Sequence, residues 1–148
     1  MAAAVINSDT IKLLRECNAG TKMGIESIDE VLDYVRNDEF KNLLIGCKSR
    51  HEALGQETRD LLNSYDDDGK EPSAMAKGMS WLKTNFKLTV DSSDETIADL
   101  ITDGCNMGTK SLRRYINEYP AAEEKAKDIA YRIIMVEEDT IDGVKKFL

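Results

Sequence analysis

Cys47 and His51 stand four residues apart, so a helix would bring a thiol and an imidazole onto one face. An exposed thiol beside an imidazole ionises readily and becomes a nucleophile. A buried one is a small apolar filler. His51 is the single His of the chain, which excludes chemistry that needs two imidazoles. His51-Glu52-Ala53-Leu54-Gly55 opens like the H-E-x-x-H of zinc proteases, but Gly55 stands where the second ligand must be. Asp66-Asp67-Asp68-Gly69 evokes a calcium loop. With Gly69 as the turn glycine, Ser64 and Met75 fall at the first and last ligand positions, and the bidentate Glu is missing. The run reads instead as an acidic helix end, with Gly69 supplying the left-handed terminus. No phosphate loop or dinucleotide fingerprint is present.

The elements that would carry these residues are helices. From Ser8 or Asp9, either a good N-cap, the apolar stripe Ile11, Leu14, Cys17, Thr21, Ile25, Ile28, Leu32, Val35 advances by threes and fours. Asn37-Asp38 ends this helix and caps the next, which carries Phe40, Leu43, Leu44, Cys47, His51, Leu54, Leu61, Leu62 and Tyr65. Pro72-Ser73 opens a short helix with Met75, Met79, Leu82 and Phe86 on one face and Trp81 beside it. Ser92 and Glu95 match a capping box ahead of Ile97, Ile101, Cys105, Gly108, Leu112, Ile116 and Tyr119. Pro120 suits the first turn of a last helix through Ile129, Ile133, Glu137, Ile141 and Val144. The spacing thus predicts one all-α domain over 1–148, with helices at about 9–36, 38–65, 73–88, 93–118 and 120–147. Two hairpins with tight connections, joined by a crossover over about 66–92, make a four-helix bundle.

Composition narrows the partners. The chain has 148 residues, a net charge of −8 and 41% hydrophobic residues. Such an acidic surface disfavours nucleic acid and anionic membranes. No apolar run approaches a membrane span, and the start MAAAVINSDT lacks the basic flank of a signal peptide. Three Cys without C-x-x-C spacing fit free thiols in a reducing cytoplasm. Cys17 and Cys105 sit on apolar stripes as core residues.

An internal echo links the two hairpins. Cys17-Asn18-Ala19-Gly20-Thr21-Lys22 is repeated as Cys105-Asn106-Met107-Gly108-Thr109-Lys110, and Ile28 and Glu30 continue the register to Ile116 and Glu118. This is the pattern left by duplication of a helical hairpin. Gly20, Gly24, Gly46, Gly55, Gly104 and Gly108 fall inside helices, where each costs about 1 kcal/mol relative to Ala. The pairs Gly20–Gly24 and Gly104–Gly108 predict close packing of the first long helix on the third.

Paired hairpins with a long crossover and polar residues inside the stripes resemble the ferritin-like superfamily. More narrowly, KGMSWLKTNFKL and DETIADLITDGCNMGTKSLRRYINEY are similar to a bacterial ferritin-like family with a Trp-containing crossover helix. The superfamily's dinuclear metal site takes a Glu from each of two helices and Glu-x-x-His from each of the others. Carried over to this chain, that set is degenerate. Thr21 and Thr109 stand at the single-Glu positions. Lys48-Ser49-Arg50-His51 keeps the His and replaces the Glu, and Glu137-Glu138-Asp139-Thr140 keeps the Glu and replaces the His. A cationic Lys among so few ligands would repel a metal, so neither metal nor cofactor is expected. In their place the resemblance implies a buried polar cluster of Thr21, Lys48, His51, Thr109 and Glu137, with Lys48 paired to Glu137. The alternative leaves Lys48 reaching solvent and His51 as an ordinary core residue.

Taken together, the expectation is a cytoplasmic bacterial bundle without catalysis of its own. It would act as an interaction or regulatory module, as a homodimer, with Met75, Met79, Trp81 and Phe86 offering a partner surface. Two rivals stand beside it. One is a metal protein using His51, Glu137 and Glu52 or Glu57; the other is a small-ligand carrier using the bundle interior.

Overall fold

A computed structural model of the chain describes residues 7–67 and 91–148. Four long helices account for most of them: α1 (Ser8–Leu32), α2 (Asp38–Ser64), α3 (Asp94–Glu118) and α4 (Glu124–Val144), followed by a 3-10 turn, Lys145–Phe147. No strand occurs among the described residues. The short helix expected at 73–88, with its Met75, Met79, Trp81 and Phe86, lies outside them.

Three of the four helices start where a side chain satisfies one or more of their free N–H groups. Asn7, one residue earlier than expected, caps α1 by accepting from the Asp9 and Thr10 amides. Asn37 caps α2 as the sequence predicts, accepting from the Phe40 amide. Ser93 rather than Ser92 caps α3, through the Thr96 amide. The last helix opens later than expected, at Glu124 and not at Pro120. It has no side-chain cap; the segment after Pro120 is instead held against α1, where Ala121 donates to Asp9 Oδ2 and Glu123 to Thr10 Oγ1. At the other end of α2, Asp66 takes the left-handed position at φ 57°. Its neighbour Asp67 donates its amide back to the Leu62 carbonyl, which closes a Schellman turn three residues before Gly69.

The helices alternate in direction around one core. Leu13, Leu14, Val31, Phe40, Leu44, Ile97, Ile129 and Ile133 are among its most buried residues. Besides the two hairpins, α2 lies antiparallel to α4. Their shared rungs are Arg50–Asp139 at 3.0 Å, His51–Glu137 at 2.6 Å and Arg132–Glu57 at 2.6 Å. α1 lies antiparallel to α3, with Glu16 beside Tyr115 and Lys12 over Tyr119. α2 and α3 therefore run parallel. The end of α2 is held near the start of α1 by Arg15–Asp67 at 2.6 Å. The start of α3 meets the far end of α1, where Asp94 accepts from the Arg36 and Asn37 amides at 2.8 Å each.

Candidate functional site

The site is built on α2, one turn of which aligns Cys47 with His51. His51 is 2% exposed. Its Nδ1 lies 2.9 Å from the Cys47 carbonyl, which can only accept, so Nδ1 carries a proton. Nε2 faces Glu137 Oε1 on α4 at 2.6 Å. A ring that donates from both nitrogens is an imidazolium. Burial opposes that charge, but the hydrogen bonds to Cys47 and Glu137 outweigh it and raise the His51 pKa to about 10. An imidazolium–carboxylate pair is thus buried between α2 and α4.

Buried thiols flank the pair. Cys47 is buried, its Sγ 3.5 Å from Nδ1 and 3.1 Å from the Thr140 hydroxyl. Thr140 also donates to the Val136 carbonyl at 2.7 Å. Cys105 reaches Glu137 from α3; burial first, then the nearby carboxylate, pushes its thiol well above the ordinary range. Burial does the same to Cys17. Neither Cys17 nor Cys105 is poised as a thiolate nucleophile.

Of the five residues expected in the polar cluster, the structure joins two, His51 and Glu137. Lys48 does not meet Glu137. Its ammonium sits 2.6 Å from Asp29 on α1, and its side chain is 29% exposed. Lys48 and His51, three residues apart, lie on neighbouring parts of α2, but the long stem of Lys48 carries its ammonium to Asp29 and to water, whereas the short His51 side chain stays in the core. Thr21 is buried, but its hydroxyl donates to the Asn18 carbonyl at 2.9 Å and packs against Gly55, one turn beyond His51. Thr109 is half-buried, and its hydroxyl has no hydrogen-bond partner among the described residues. Sequence reasoning missed Thr140 and Cys105 as neighbours of the pair. Thr140 lies three residues after Glu137, a spacing that could have flagged it.

The helical glycines also differ from expectation. A Cβ on Gly24 would come 2.5 Å from the His51 ring, and one on Gly108 would touch the Glu137 carboxylate at 3.6 Å. A Cβ on Gly104 would meet nothing within 4 Å. Gly20, Gly24, Gly104 and Gly108 therefore do not clamp α1 onto α3. They line a cavity between the two helices, with about 50 Å³ of room for the centres of water-sized molecules. Met23, Ile28, Leu100, Ile101 and Met107 contribute apolar walls, and Cys47, His51, Glu137 and Thr140 form the floor.

These donors do not suit a metal. The two ring nitrogens point to opposite sides, each already hydrogen-bonded. Glu57 is engaged by Arg132 at 2.6 and 2.8 Å, and Glu52 is exposed. Among the described residues, no three His, Cys, Asp or Glu are grouped to hold an ion. No described helix is long and apolar enough to cross a membrane. Against protein-family models, curated proteins and solved structures, the chain finds no match.

Proposed function

We propose that this chain is a non-catalytic, small-ligand-binding helical bundle on a ferritin-like arrangement of helices. In that arrangement the interior carries an organic ion pair where relatives of the scaffold would grip metals. One observation carries the reading: an apolar cavity opens between α1 and α3 directly over the buried His51–Glu137 pair. Ligand sites are mostly apolar hollows with a few convergent polar groups, and four glycines on the walls keep this one clear of side chains. The antiparallel α1/α3 contact and the parallel course of α2 and α3 support the ferritin-like part of the proposal.

Xenon provides the test, since it enters apolar cavities without needing a hydrogen bond. In amide-resolved NMR of the full chain, xenon should shift the Gly20, Gly24, Gly104 and Gly108 resonances. The effect should vanish in Gly104→Leu, whose side chain grows into the empty space while the fold persists. Shifts that are absent, or that survive in Gly104→Leu, would defeat the reading.

A further inference from the structure

The floor of the cavity restricts what can occupy it. Glu137 Oε1 accepts a hydrogen bond from His51 Nε2, and the Cys105 thiol lies close to the same carboxylate. An ionised carboxylate offers about four lone-pair sites, so it keeps acceptor capacity toward the cavity that Glu137 lines. Its charge, by contrast, is already balanced by the imidazolium. An ammonium brought here would leave one buried positive charge unmatched, and a carboxylate would leave one buried negative charge beside Glu137. A ligand with no donor would strip water from the carboxylate and return nothing.

Resting on the ligand-binding reading above, we infer that the cavity takes a short, branched apolar molecule bearing one uncharged hydroxyl, which donates to Glu137. The hollow, which is partly open to the surface, has room for roughly four water-sized groups, about the bulk of a four-carbon alcohol. Its wall glycines admit a branched body, and Met23 and Met107 on opposite walls can adjust around it. Ser27 adds a hydroxyl on the α1 side and is the competing partner for the ligand's head.

Four probes of similar size separate the charge and donor requirements: 2-methylpropan-1-ol, its isomer isopropyl methyl ether, isobutylammonium and isobutyrate. Each is titrated into the full chain, with affinity read from the Gly24, Gly104 and Gly108 amide shifts. The alcohol should bind at least about tenfold tighter than the ether, and both ions more weakly than the alcohol. In the apolar double replacement His51→Leu with Glu137→Met, the alcohol-to-ether ratio should fall to about one, with ether binding retained. Equal binding of alcohol and ether, or tighter binding of either ion, would overturn the inference while leaving the cavity itself intact. A ratio that survives the double replacement and collapses in Ser27→Ala would overturn it too, by moving the donor to Ser27. Silence from all four probes together with xenon would bring down the ligand-binding reading as well.

Discussion

Two buried acids, each at an interface between antiparallel helices, meet opposite fates. Glu137, between α2 and α4, is 8% exposed and faces an imidazolium at 2.6 Å. Glu16, between α1 and α3, is 6% exposed and has the Tyr115 hydroxyl beside it, with Glu118 nearby and no cation among the described groups that shift it. Burial, reinforced by Glu118 and only partly offset by Tyr115, raises the Glu16 pKa to about 7. One of its oxygens, Oε2, has no hydrogen-bond partner among the described residues. A buried carboxylate is thus carried either by a cation or by a proton. The two helix pairs show one of each.

The largest effect should come from breaking the paired case. Glu137→Ala leaves a buried imidazolium unmatched and should cost about 3–5 kcal/mol, as should His51→Ala through the stranded carboxylate. Replacing both at once, His51→Leu with Glu137→Met, should be close to neutral, because no charge is left behind. Urea unfolding of the three variants checks this. A double variant as damaged as the single ones would mean that packing, and not charge, explains the loss.

The proton-carried case is exposed by pH. The folded state binds the Glu16 proton more tightly than the unfolded chain, whose carboxyl titrates near 4.5. Stability from this group is therefore highest below pH 4.5, declines as pH rises toward 7 and is flat above it. The penalty above pH 7 amounts to roughly 3 kcal/mol by linkage, which Glu16→Gln should recover at pH 8 and not at pH 4. His51 acts in the neighbouring window. Its pKa rises from 6.5 to about 10, so its contribution is full below pH 6.5 and is lost as pH climbs through 10. Thermal unfolding across pH 4–10 in the parent, Glu16→Gln and the double variant should assign the two declines separately. A parent profile that rises from pH 4.5 to 7 would contradict the assignment to Glu16.

This contrast was only partly legible in the sequence. Four long helices follow from stripes such as Ile97, Ile101, Cys105 and Leu112, because burial of one face dictates that spacing. The sequence pattern places Glu137 and His51 in the interior, and the ferritin-like resemblance pairs Lys48 with Glu137, the alternative being a Lys48 that reaches solvent. The carry-over ranked residues by their place in a ligand motif. In the helix, Lys48 and His51 are only about 60° apart, so it is side-chain chemistry that separates them: the long stem of Lys48 carries its strongly hydrated ammonium out to Asp29, and the shorter imidazole stays inside. Glu16 escaped notice altogether, since it stands next to Cys17 in a stripe that reads correctly without it. Its burial depends on how α3 brings Tyr115 and Glu118 against α1, and no local pattern in α1 encodes that. The glycines were visible, but their spacing fits a cavity wall as well as a helix contact. Only the position of the His51 ring decides between the two.

The smallest predicted effects come from those glycines, and they sharpen the comparison by testing how firmly the paired side is held. Gly24 and Gly104 face the same cavity from α1 and α3, and on helix propensity alone Ala should stabilise at each by about 1 kcal/mol. At Gly104, where a new Cβ meets nothing within 4 Å, that gain should appear in full. At Gly24 the Cβ would lie 2.5 Å from Cδ2 and 2.6 Å from Nε2 of His51. The ring cannot yield without losing the Cys47 carbonyl or Glu137, since it is held at both nitrogens. Overpacking of this kind costs about 1–3 kcal/mol, which should reverse the sign and leave Gly24→Ala less stable than the parent. The imidazole nitrogen resonances should show why: moved in Gly24→Ala, unchanged in Gly104→Ala. A Gly24→Ala protein as stable as the Gly104→Ala one would show that the pair yields at little cost. In that case the difference between the two buried acids would be one of chemistry and not of rigidity.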